Sequence, residues 1–100
     1  MRHVMVRYQV KPDQVGENER LVRAVFTALD RDKPEGVHYS TLKLADGVGF
    51  VHFAVITAAD NPLPKVDAFR EFTATIKDRC VEPPVVTELE PIGAYRMLPA

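Results

Sequence analysis

His52 and Tyr39 are the side chains of this sequence best suited to moving a proton. They lie in residues 37–57, where two apolar-rich runs flank Asp46-Gly47. That pair suits a two-residue type I′ turn, in which both central residues need φ > 0. Such a turn puts Thr41 opposite His52, Tyr39 opposite Ala54 and Leu42 opposite Val51. His52 and Tyr39 then share one face of the hairpin as diagonal neighbours, close enough for long side chains to meet. A histidine titrates near neutral pH and can accept a proton from a weak acid, while a tyrosine hydroxyl can orient an oxygen. The bland alternative is that both sit in an interface between two copies and satisfy each other there.

Further candidates surround this pair. Phe50 falls on the face of His52, and His38 and Ser40 fall on the other face, where they would line any cavity beneath the helices. Asn61 precedes Pro62 and either contacts a ligand or fixes the proline-rich turn. Candidate pocket residues are therefore His38, Ser40, Phe50 and Asn61. His38 and His52 point to opposite faces, and the three histidines have no metal-ligand spacing, so no metal site is expected. Cys80 falls on an apolar helix side near a C-terminus, where no dipole lowers its pKa, and reads as an inert buried thiol. Arg7 is placed to pair across strands with Glu88 or Glu90.

The elements that position these residues follow from periodicity. Residues 3–10 alternate, with Val4, Val6, Tyr8 and Val10 on one face, and read as a half-buried strand. Pro12 stops it and Asp13 is placed to cap a helix over residues 14–30, whose stripe is Val15, Leu21, Val22, Val25, Phe26 and Leu29. Glu17, Asn18, Glu19, Arg20 and Arg23 cover its outer side. The hairpin follows. A second helix spans residues 66–79, Glu82-Pro83-Pro84 ends it, and residues 85–98 form the last strand. The order β-α-β-β-α-β predicts an α+β, ferredoxin-like domain over residues 1–100, with a four-stranded antiparallel sheet and both helices on one face.

One asymmetry follows for the sheet. Leu42, Leu44, Val51, Phe53, Val55, Val85 and Leu89 join Val4, Val6 and Val10 as the predicted helix-facing set. Met5, Arg7, Tyr39, Thr41, Phe50 and His52 are predicted on the reverse side, half apolar, which a second copy would cover.

Composition bounds the function. One hundred residues with a net charge of −1 make one domain and disfavour a general polyanion binder. One cysteine allows no internal disulfide and fits a reducing, cytoplasmic setting. No apolar run is long enough for a membrane span or a signal peptide.

Across nearly its full length the chain resembles the dimeric α/β-barrel superfamily, in particular the antibiotic-biosynthesis-monooxygenase-like proteins. The resemblance is carried by Val4-Met5-Val6-Arg7-Tyr8 with Val10-Lys11-Pro12, by Gly47-Val48-Gly49-Phe50-Val51-His52, and by Asn61-Pro62-Leu63 with Ala68-Phe69-Arg70. Arg79-Cys80-Val81-Glu82-Pro83-Pro84 and Gly93-Ala94-Tyr95-Arg96 complete it. It implies a homodimer whose sheets pack face to face, and a cofactor-free oxygenation of a small aromatic or phenolic substrate. His52 would then deprotonate the phenol and Tyr39 would orient its oxygen. No cofactor is expected. The chain has no tryptophan, offers only Gln9 on its first strand and has no histidine on its second helix, which disfavours the haem-degrading branch.

Two other readings stand beside it. One is a non-catalytic structural or ligand-binding homodimer of the same fold. The other is an RNA-recognition motif, which shares the element order. Residues 47–53 resemble that motif's third strand, but Asp46 and Val48 replace its basic and first stacking residues, and only Phe50 remains to stack a base. No nucleic-acid or membrane partner is expected.

Overall fold

A computed structural model describes residues 1–97. Strand β1, Arg2–Val10, is followed by a short 3-10 turn and helix α1, Val15–Asp32. Strands β2, Val37–Lys43, and β3, Gly49–Ile56, form the hairpin. Helix α2, Asp67–Arg79, leads directly into strand β4, Cys80–Leu89. The sheet is antiparallel in the order β2-β3-β1-β4, the ferredoxin-like arrangement expected from the element order.

Local chemistry explains most boundaries. Pro12 cannot extend β1 and opens the 3-10 turn. Asp13 makes no capping hydrogen bond, and Gln14 stands at the N-cap of α1 instead. Lys33 ends α1 in the left-handed region, and its N–H donates to the Leu29 carbonyl at 2.8 Å. Gly36, at φ 89°, then turns the chain into β2, and its carbonyl accepts from the N–H groups of Thr57 and Ala58. In α2, Asp67 lies in the first turn and Lys77 and Arg79 in the last, as the helix dipole favours.

The hairpin keeps the expected register, with Thr41 opposite His52, Tyr39 opposite Ala54 and Leu42 opposite Val51. Its turn differs. Only Gly47 has positive φ, the Gly47 N–H donates to the Leu44 carbonyl, and Asp46 Oδ1 accepts from the N–H groups of Val48 and Gly49. The carboxylate, rather than a second left-handed residue, closes the loop.

Two expectations about the C-terminal third are corrected. Pro83 and Pro84 lie inside β4 rather than ending α2, because β4 is an edge strand and its register against β1 shifts between Arg7 and Gln9. A proline's missing N–H is tolerated at such a bulge on an edge. Cys80 is accordingly the first residue of β4, opposite Val10, and not part of a helix. β4 stops at Leu89; Leu98, the expected strand end, lies outside the described residues.

The largest correction concerns the hairpin faces. β1 presents Val4, Tyr8 and Val10 to the helices as expected. Val4, Val6 and Tyr8 pair directly with Ala54, His52 and Phe50, and directly opposed residues share a face. Phe50, His52, Tyr39 and Thr41 therefore lie beneath the helices. Phe26 of α1 stacks on Tyr39 at 5.4 Å between centroids, and Phe72 of α2 lies 5.3 Å from the His52 ring. His38, Ser40, Leu42, Val51, Phe53 and Val55 lie on the open side, and so do Val85 and Leu89 of β4, which pair with Arg7 and His3 and were also expected beneath the helices. Apolar count misled here because the helix-covered side carries polar groups that bond one another, while the open side is greasy without being covered.

Candidate functional site

The core between sheet and helices contains one continuous polar chain. It begins at Arg79, the last residue of α2, which is 3 % exposed. Its Nε donates to Asn18 Oδ1 at 3.0 Å, and its other nitrogens donate to Thr75 Oγ1 and the Phe72 carbonyl. The guanidinium also lies over the Phe72 ring, 5.3 Å from its centroid. Asn18 is fully buried on α1 and donates from Nδ2 to Tyr8 Oη at 2.9 Å. Tyr8 Oη lies 2.7 Å from His52 Nε2. On the other side of the imidazole, Nδ1 lies 2.6 Å from Tyr39 Oη and 2.8 Å from Thr41 Oγ1. Among the described residues no buried side-chain nitrogen or oxygen lacks a partner.

Burial sets the electrostatics. It pushes the His52 pKa down from 6.5 to about 4, so the imidazole is neutral at pH 7. Burial also raises the hydroxyl pKa values of Tyr8 and Tyr39, keeping both protonated. Burial lowers that of Arg79, against the opposing pull of Tyr8 and Cys80. Since an arginine stays charged in proteins, the chain holds a cation at one end and neutral hydroxyls at the other.

That second end meets a groove. A cavity of about 550 Å³ opens between α1 and the β2–β3 edge. Val22, Phe26 and Phe50 give it apolar walls, Arg23 and Lys43 bring positive charge, Glu19 brings negative charge, and Thr41 brings a hydroxyl. Lys43 and Glu19 are ion-paired at 3.0 Å. The volume suits a small organic molecule.

His52 and Tyr39, predicted together, are therefore in direct contact, but in the core of the chain rather than on the partner-facing side. Phe50 lines the groove and stacks on Tyr8 at 5.5 Å. This burial, at 2 % exposure, also removes the last base-stacking aromatic of the RNA-binding reading. His38 and Ser40 are exposed on the open side, away from the groove, since they pair with Val55 and Phe53. Asn61 fixes its turn, its Oδ1 accepting from the Leu63 N–H at 3.0 Å. Arg7 faces Val51 and Val85, and Glu88 pairs instead with Arg2 at 2.6 Å. Tyr8, Asn18, Thr41 and Arg79 complete the chain and were not predicted. Their signal was periodic: Asn18 stands three before Leu21, and Arg79 three after Ile76, so each interrupts an apolar helix stripe.

No family model matches the chain, and no curated protein matches it. Solved structures do. Rv0793 from Mycobacterium tuberculosis superposes with a TM-score of 0.73 at 20 % identity, covering 93 % of this chain and 96 % of its own. A Nitrosomonas europaea protein provisionally described as an antibiotic biosynthesis monooxygenase gives 0.76 at 16 %, covering 93 % and 100 %. A variant of SnoaB, a cofactor-independent oxygenase from Streptomyces nogalater, gives 0.68 at 14 %, covering 95 % and 96 %. The fold is thus that of the antibiotic biosynthesis monooxygenase domain proteins. At these identities the likeness is one of fold.

Proposed function

We propose that this chain is a cofactor-independent monooxygenase acting on a small phenolic aromatic, with the groove between α1 and β2–β3 as the substrate site. The observation that carries the reading is the contact of Thr41, on the groove wall, with neutral, buried His52. The reaction needs a site that favours the phenolate, because the anion gives electrons to oxygen far more readily than the phenol. The ring carbon then bonds to one oxygen atom, and loss of water from the resulting hydroperoxide leaves a quinone. The substrate supplies all four electrons that dioxygen takes up, one oxygen atom staying in the quinone and the other departing as water. His52, Tyr39 and Thr41 manage the charge on the phenolic oxygen, and Val22 and Phe26 of the groove wall pack the ring. The SnoaB likeness supports the same chemistry class.

A non-catalytic homodimer is the second reading. The observation favouring it is that His52 is 3 % exposed, with hydroxyls on both ring nitrogens. Either reading includes a homodimer through the open sheet face, where Leu42, Phe53, Val85 and Leu89 are exposed. Oxygen uptake against a panel of polycyclic phenols decides between them. Consumption by the wild type that falls at least tenfold in Thr41→Val and His52→Ala supports the enzyme, whereas no uptake with any phenol supports the structural dimer.

A further inference from the structure

We propose that Asn18 and Arg79 are positioning residues that fix the tautomer of His52 and so turn Thr41 into a hydrogen-bond donor toward an anionic oxygen in the groove. The identity of the groove's occupant rests on the function proposed above; the tautomer does not.

Arg79 can donate but never accept. The Asn18 atom facing its Nε at 3.0 Å is therefore Oδ1, which leaves Nδ2 facing Tyr8 at 2.9 Å. Nδ2 is a donor only, so Tyr8 Oη accepts there. The remaining partner of Oη is His52 Nε2 at 2.7 Å. If Nε2 carried a proton, Oη would accept twice and its own proton would be stranded at a residue 2 % exposed. An unmatched buried donor is costly, so Tyr8 donates to a bare Nε2. A neutral imidazole then carries its proton on Nδ1.

Nδ1 donates into the pair of hydroxyls formed by Tyr39 and Thr41, and neither has to give its proton to the ring. Tyr39 and Thr41 are hydrogen-bonded to each other, and the half-buried Tyr39 hydroxyl, unable to donate to Nδ1–H, places its proton on Thr41 Oγ1. Thr41, the one side chain of the network that also lines the groove, is then left to turn its own proton outward. Donation runs from Arg79 through Asn18, Tyr8 and His52 to Thr41, each bond polarising the next. A fixed cation behind and a hydroxyl in front select an acceptor bearing negative charge, such as a phenolate. The sequence suggested His52 as a base; this order instead makes it a donor that stabilises the anion. The open groove lets the departing proton leave to solvent.

Long-range proton–nitrogen NMR spectra of the nitrogen-15-labelled protein read the tautomer directly. The wild type is expected to show protonated Nδ1 and bare Nε2. Asn18→Asp should reverse the pattern, because a carboxylate accepts from both Arg79 and Tyr8, and Tyr8 must then accept from Nε2–H. A wild type protonated on Nε2, or a folded Asn18→Asp protein that keeps Nδ1–H, overturns the proposal. The groove is tested with 4-nitrophenolate, titrated above the pH at which the free probe ionises. Thr41→Val should weaken its binding at least about tenfold, the loss expected for one hydrogen bond to a charged group, and Thr41→Ser should restore it. Equal affinity in Thr41→Val, or no binding by a wild type that carries Nδ1–H, overturns the donor role of Thr41. Neither readout requires turnover, so absent oxygen uptake would count against the enzyme alone.

Discussion

Tyr8 Oη lies 2.7 Å from His52 Nε2, tying β1 to β3 beneath both helices. Removing that hydroxyl leaves Asn18 Nδ2 and the imidazole nitrogen buried without their partner. Tyr8→Phe should therefore cost about 1–3 kcal/mol, the penalty for an unsatisfied buried polar group. Tyr39→Phe should cost less, below about 1 kcal/mol, because Thr41 still satisfies Nδ1. Urea unfolding of both variants with unchanged m-values checks the order, and equal costs would contradict it.

Stability should also depend on pH through His52. Its folded pKa is pushed down to about 4, while the unfolded chain restores the ordinary 6.5. Between these values the unfolded state binds more protons, so acid favours unfolding. The stabilisation held by neutral His52 is complete above pH 6.5 and is lost as pH falls toward 4. The shift corresponds to roughly 3 kcal/mol across that window. Urea midpoints measured from pH 7 to pH 4 should show this decline, and His52→Gln should flatten it relative to the carboxylate background.

The element order and the hairpin register were legible because they rest on local signals. Alternation marks β1, the breakers Pro12, Pro34 and Gly36 bound α1, and the Asp46-Gly47 turn fixes which residues oppose each other. Which hairpin face meets the helices was not legible from the hairpin. That choice is set by its pairing with β1, where Val6 opposes His52, a contact between residues far apart in sequence. The polar chain was hidden for the same reason. Tyr8 looked like one more apolar strand residue, and Asn18 like part of a solvated helix face. Each becomes interpretable only when α1, α2 and β1 converge, since Arg79 reaches Asn18 across 61 positions of sequence. Pro83 and Pro84 read as helix breakers because nothing local reveals that β4 is an edge strand with a bulge beside them.

Gly36 should be the least replaceable glycine. Its φ is 89°, and an added Cβ would stand 2.4 Å from the Ala58 Cβ, with the Ala58 backbone at 3.2 Å. Gly36→Ala therefore meets both left-handed strain and a clash at the point where β2 and β3 are tied together by the Thr57 and Ala58 N–H groups. The strain alone costs about 1–2 kcal/mol, and the clash adds to it. Gly47→Ala shares the positive φ but has nothing within 4 Å, so it should lose only the strain. Thermal unfolding of the two variants should rank Gly36→Ala clearly below Gly47→Ala.

The open sheet face should hold two copies together. Leu42 is 52 % exposed, Phe53 39 %, Val85 62 % and Leu89 38 %, with Met5 opposite Phe53 between them. Such a band on a lone chain leaves apolar surface in water that a second copy would bury at about 25 cal/mol per Å². Light scattering of the wild type should give the mass of a dimer, and its unfolding midpoint should rise with protein concentration. Phe53→Asp places a charge at the centre of the band and should yield monomers that still fold. Val86→Asp is the control. Val86 is 65 % exposed but pairs with Val6, so it lies on the other side of the sheet and should leave the dimer intact. A monomeric wild type, or dissociation by Val86→Asp and not by Phe53→Asp, would move the interface elsewhere.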